Sequence, residues 1–63
     1  MNEYILELIR ANNQHSKYLT KSIKDEDLED EHSILRAYND LQQLIQNMHD
    51  NKLLLRIYGK NNI

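Results

Sequence analysis

Met1, Tyr4, Leu8, Ala11, His15, Tyr18 and Ser22 recur along the first third of the chain at alternating spacings of three and four. That alternation marks one face of an α-helix and reads as a coiled-coil seam. Ile5, Asn12 and Leu19 flank the seam, and Ile9 and Ile23 widen its apolar surface. Asn2 suits a helix N-cap, and Glu3 suits the first turn, where negative charge meets the positive end of the helix dipole. Lys17, Lys21 and Lys24 gather toward the other end, where positive charge is favoured. The pattern predicts helix 1 over about residues 3–23.

Ile34, Tyr38, Leu41, Ile45, Met48, Lys52 and Leu55 repeat the alternation, broadened by Leu35 and Leu44. Asp25 or Asp27 is placed to cap this second helix, and Gly59 to end it in the left-handed C′ conformation. Helix 2 is expected over about residues 27–58, roughly 48 Å long. His49-Asp50-Asn51 is its weakest stretch. A break there would give a short third helix, but a continuous helix is the expectation. The fold class is all-α: residues 1–63 form one antiparallel helical-hairpin domain, expected to dimerise into a four-helix bundle.

Folding the chain about a short turn near Lys24 sets Tyr18 near Ile34, His15 near Tyr38, Ala11 near Leu41, Leu8 near Ile45 and Tyr4 near Met48. On that register Leu53, Leu54, Leu55, Ile57 and Tyr58 overhang the end of helix 1. Together with Ile5, Ile9 and Leu44 they form more apolar surface than a single two-helix seam buries. The expected use of that surface is a dimer or partner interface.

Composition strengthens this reading. A chain of 63 residues is marginal as an isolated monomer, since it buries only about 60% of its unfolded surface. Cysteine is absent, so neither a disulfide nor a thiolate metal site supports the fold. Oligomerisation or a partner is the remaining support. Proline is absent and glycine occurs once, which leaves long helices uninterrupted. No apolar run approaches a membrane span, and Met1-Asn2-Glu3 does not open a secretion signal, so the expected location is the cytoplasm.

Little in the sequence points to catalysis. It contains no nucleophile elbow, phosphate-binding glycine loop or zinc signature. Glu29 and His32 have the spacing of a di-metal bundle ligand pair, but helix 1 offers only Glu3 and Glu7, at the far end of the hairpin. No enzyme activity, cofactor or metal is expected. His15 reads as a hydrogen-bonded seam residue, with Tyr38 or Tyr18 as partner, and Lys52 as a register-setting or snorkelling cation.

Two charged features remain. Asp25 to Glu31 holds six acids in seven residues; Glu26, Asp27, Glu29, Asp30 and Glu31 form a candidate acidic docking patch. The same acids could imitate nucleic-acid phosphates, although a net charge of −2 is small for such a decoy. Lys52, Arg56 and Lys60 form an i,i+4 basic stripe, a candidate nucleic-acid contact in a DNA-binding dimer. Three cations per chain give weak, salt-sensitive binding without a base-reading motif.

The reading that results is a small non-enzymatic regulatory or adaptor protein. It dimerises and binds a larger protein through an apolar helix end and an acidic turn. The alternatives are the DNA-binding dimer and a structural oligomer or scaffold component. Abundant Asn, Ile and Lys suggest an AT-rich bacterial or phage genome, in which a host transcription regulator, polymerase or defence protein would be a natural target to inhibit.

Overall fold

The computed structural model describes residues 2–61, with side chains described over 3–60. Met1, counted in the helix 1 pattern, and the side chain of Asn2, read as a cap, lie outside these residues. Two helices, α1 (Asn2–Asp25) and α2 (Glu31–Asn61), pack against each other as a hairpin. The longest dimension is 49 Å, close to the length of α2 at about 1.5 Å per residue.

Helix α2 starts four residues later than expected because Asp30, rather than Asp25 or Asp27, caps it. An Asp30 carboxylate oxygen accepts hydrogen bonds from the Ser33 backbone N–H at 3.1 Å and from the Ser33 hydroxyl at 3.2 Å. Asp27 instead shapes the turn, accepting from the Glu29 backbone N–H at 3.0 Å. Helix α2 is continuous through His49-Asp50-Asn51. Gln46 donates to Asp50 at 2.9 Å, an i,i+4 side-chain pair that supports this weak stretch. Gly59 lies inside α2 without a positive φ, so it does not end the helix as a left-handed C′ residue.

The seam between the helices is one residue out of phase with the sequence expectation. Residues turned inward on α1 are Ile5, Ile9, Asn12, Ser16, Leu19, Ile23 and, in the turn, Glu26. Those on α2 are Ser33, Ala37, Asp40, Leu44, Asn47, Asn51, Leu54 and Tyr58. Both sets alternate three and four, and one residue corresponds to about 100° of rotation. Small side chains at Ser16, Ser33 and Ala37 let the backbones approach, while the asparagines hydrogen-bond across the seam. Leu19 is the one large side chain fully buried among the described residues, at 2% exposure.

The pairing register also differs from the expected one. Asn12 bonds Asn51, His15 and Ser16 bond Asn47, and Glu26 bonds Arg36. His15 therefore meets α2 roughly two and a half turns beyond Tyr38. Carried to the open end, this register sets Ile9 opposite Leu54 and Ile5 opposite Tyr58. The segment Leu53–Tyr58 runs alongside α1 and does not overhang it. The first turns of α2 extend past α1 instead, where the loop folds over them and buries Ser33.

Candidate interaction faces

A polar network fixes the hairpin from within. The Asn12 side-chain amide donates to Asn51 Oδ1 at 2.9 Å, and Asn51 donates onward to Asn13 Oδ1 at 3.0 Å. The buried Asn47 donates to Ser16 Oγ at 3.2 Å and lies 3.0 Å from His15 Nδ1, which serves as the acceptor. Each such bond contributes about 1 kcal/mol net, whereas a slipped register would leave buried amides unpaired at about 1–3 kcal/mol each. His15 is thus the hydrogen-bonded residue expected, with Asn47 as partner rather than Tyr38 or Tyr18.

With amides and small residues sharing the seam with Ile5, Ile9, Leu19, Ile23, Leu44 and Leu54, many large apolar side chains face outward. On α2, Ile34, Tyr38, Leu41, Ile45, Met48 and Leu55 are 40% to 66% exposed. They form one stripe interrupted by Lys52, also exposed. The α1 positions on the same side of the hairpin are Leu6, Arg10, Asn13, Lys17, Thr20 and Lys24, so apart from half-buried Leu6 at the open end this apolar face belongs to α2. Helix α2 therefore carries two heptad seams about 100° apart: a mixed polar and apolar one toward α1 and a mainly apolar one toward solvent.

A second apolar face lies on the opposite side. In an antiparallel pair, residues one position before the seam on both helices share a side, because the two chains wind in opposite senses along a common axis. Tyr4, Leu8 and Tyr18 of α1 lie there with Leu53 and Ile57 of α2, all exposed. Leu8, Asn12, Asp50, Leu53 and Leu54 line a shallow groove at the open end. Of the residues expected at an interface, Leu53 and Ile57 are on this face, and Leu55 is on the α2 stripe. Ile5, Ile9, Leu44, Leu54 and Tyr58 are half-buried between the helices.

The acidic patch is partly consumed by the turn. Glu26 pairs with Arg36 through two hydrogen bonds, at 3.1 and 3.2 Å, and Arg36 also donates to Ser33 Oγ at 2.9 Å. The Arg36 guanidinium holds the Glu26 carboxyl below the usual carboxylate range, with Ser33 adding to the effect. Asp27 and Asp30 are engaged as described above; Glu29 and Glu31 are exposed at the turn end. Lys52, Arg56 and Lys60 are exposed in line on the last turns of α2.

No group of three or more His, Cys, Asp or Glu side chains is arranged to hold a metal among the described residues, and none of their helices is long and apolar enough to cross a membrane. The α2 positions expected inside, Ile34, Tyr38, Leu41, Ile45, Met48 and Leu55, face outward instead. The sequence signal for the seam is the second set of alternating positions, Ser33, Ala37, Asn47 and Asn51, whose small and amide side chains suit close approach of the helices. Comparison with protein-family models, curated proteins and solved structures finds no match for this chain.

Proposed function

We propose that the protein is a small non-enzymatic regulatory or adaptor protein that dimerises through one apolar face and docks on a larger protein through another. One observation carries this reading: a hairpin whose internal seam is part amide and part apolar still bears large apolar side chains on two opposite outer faces. Contiguous exposed apolar surface of this kind is characteristic of interaction sites. The exposed acids Glu29 and Glu31 at the turn would steer approach rather than supply affinity. The basic stripe of Lys52, Arg56 and Lys60 is accessible, but it is short and one of its members lies within the apolar stripe. A nucleic-acid function is therefore the weaker reading.

Light scattering coupled to size-exclusion chromatography, over a tenfold dilution series, tests it. The wild-type chain is expected to elute as a dimer that dissociates on dilution. Ile45→Asp on one face and the pair Leu53→Asp, Ile57→Asp on the other should differ in effect: one dissociates the dimer, and the other leaves it intact but removes larger partners in affinity capture. Equal effects of both, or a wild-type monomer that retains no partner, would overturn the two-face reading.

A further inference from the structure

This inference rests on the two-face reading and assigns one face its occupant and geometry. We propose that the α2 stripe is covered by the α2 of a second copy, running antiparallel about a two-fold axis at Ile45. The stripe has three positions on either side of Ile45: Leu41, Tyr38 and Ile34 one way, Met48, Lys52 and Leu55 the other. Antiparallel pairing sets Ile34 against the partner's Leu55, Leu41 against the partner's Met48, and Ile45 against the partner's Ile45. Every apolar position except Tyr38, which faces the partner's Lys52, then meets an apolar position.

Charge selects this orientation over the parallel one. Parallel pairing would bring two Lys52 ammonium groups together at one level of the seam, and both acidic turns to the same end. Antiparallel pairing places Lys52 against the partner's Tyr38, whose ring accepts a cation well. It also brings Glu29 and Glu31 of each turn to the end where the partner carries Arg56 and Lys60. Opposite charges then meet at both ends of the interface.

The area is adequate for a reversible dimer. The six apolar stripe residues are about half exposed on average. At ~200 Å² for a large residue they offer roughly 600 Å² per protomer, near the low end for specific interfaces. Of the α1 residues on the same side, half-buried Leu6 at the open end is apolar, and Arg10, Asn13, Lys17, Thr20 and Lys24 add little apolar surface. The contact is therefore a two-helix seam of α2 with α2, with each α1 flanking it.

The cysteine-free chain allows a direct test by disulfide trapping. Three single variants of the full chain are made, Ile34→Cys, Ile45→Cys and Leu55→Cys, all at exposed positions, and circular dichroism checks that each stays helical. The expected result is that Ile45→Cys cross-links to itself, while a mixture of Ile34→Cys and Leu55→Cys gives the mixed disulfide at least tenfold faster than either alone. Faster self-linkage of Ile34→Cys and of Leu55→Cys would mean a parallel seam, overturning the orientation while leaving a dimer on this face. No linkage above that of denatured chains, with a wild-type dimer still seen by light scattering, would move the dimer to the opposite face. A wild-type monomer at every concentration would overturn self-association itself, while partner capture through Leu53 and Ile57 would still stand.

Discussion

Asn12 and Asn51 face each other across the hairpin at 2.9 Å, with Asn51 passing a second bond at 3.0 Å to Asn13. An amide pair in a helical seam fixes which turn lies beside which, because any slip leaves both groups without partners. Asn51→Leu should lower stability by about 1–2 kcal/mol, since Asn12 and Asn13 each lose a partner. The double variant Asn12→Leu, Asn51→Leu should recover that loss but give up the unique register. Thermal melts in a double-mutant cycle would show the recovery. Broadened amide resonances in the double variant would show the lost register, and a sharp single set of peaks would refute it.

Leu19 is the place where the hairpin is most sensitive to cavity formation. At 2% exposure it fills the centre of the seam, with half-buried Leu44 at the facing level of α2. Leu19→Ala should cost about 2–4 kcal/mol, a large fraction of the stability of so small a fold. The urea midpoint should fall steeply. Leu35→Ala, at a residue 60% exposed, should leave it nearly unchanged. Similar midpoints for the two variants would mean that the seam is not packed as described.

The two helices, their antiparallel pairing and the continuity of α2 were legible in the sequence, because spacing of three and four and the absence of proline leave few alternatives. The phase of the seam was not. Apolar content points to Tyr4, Leu8, Ile34 and Leu41 as the inner positions, and that holds only when burying apolar groups within one chain dominates. Here cross-helix amide bonds and small residues at Ser16, Ser33 and Ala37 favour a close seam in which amides sit among Ile9, Leu19 and Leu44. The cap at Asp30 was ambiguous among six acids, and moving it by a few residues changed the register of the whole pair. Leu53 and Ile57 were identified as interaction residues for their apolarity, although they lie beside α1 and not beyond it.

The turn should respond to acid through Glu26. Its carboxyl is held below the usual range by hydrogen bonds from Arg36 and then Ser33. A carboxylate depressed in the folded state contributes stability that is complete above its unfolded pKa and lost as pH falls through its folded one. Helicity near the turn should therefore persist down through the ordinary carboxylate range, about pH 4, and decline below it. Glu26→Gln should remove that step and lower stability at neutral pH, leaving the variant's curve flat where the wild type declines. An NMR titration of the Glu26 side chain reads this directly. A midpoint at or above the ordinary value would show that the Arg36 pair does not persist in solution.

Salt should weaken association more than it weakens the hairpin. The seam inside one chain rests mainly on neutral amides and apolar contacts, with the partly exposed Glu26–Arg36 ion pair at the turn adding little, so a short Debye length scarcely touches it. In the proposed antiparallel dimer, Arg56 and Lys60 of each protomer would approach the partner's acidic turn, where exposed charges would attract across the interface. Raising ionic strength from about 0.05 to 0.5 M should loosen the dimer a few-fold while leaving the melting temperature of a dissociated variant such as Ile45→Asp unchanged. The double reversal Arg56→Glu, Lys60→Glu should weaken the dimer about tenfold and invert its salt response, since like charges would then meet. Sedimentation equilibrium at two salt concentrations measures both effects. A dimer that tightens with salt in the wild-type chain would place the two acidic turns at the same end, and the antiparallel assignment would fall with that result.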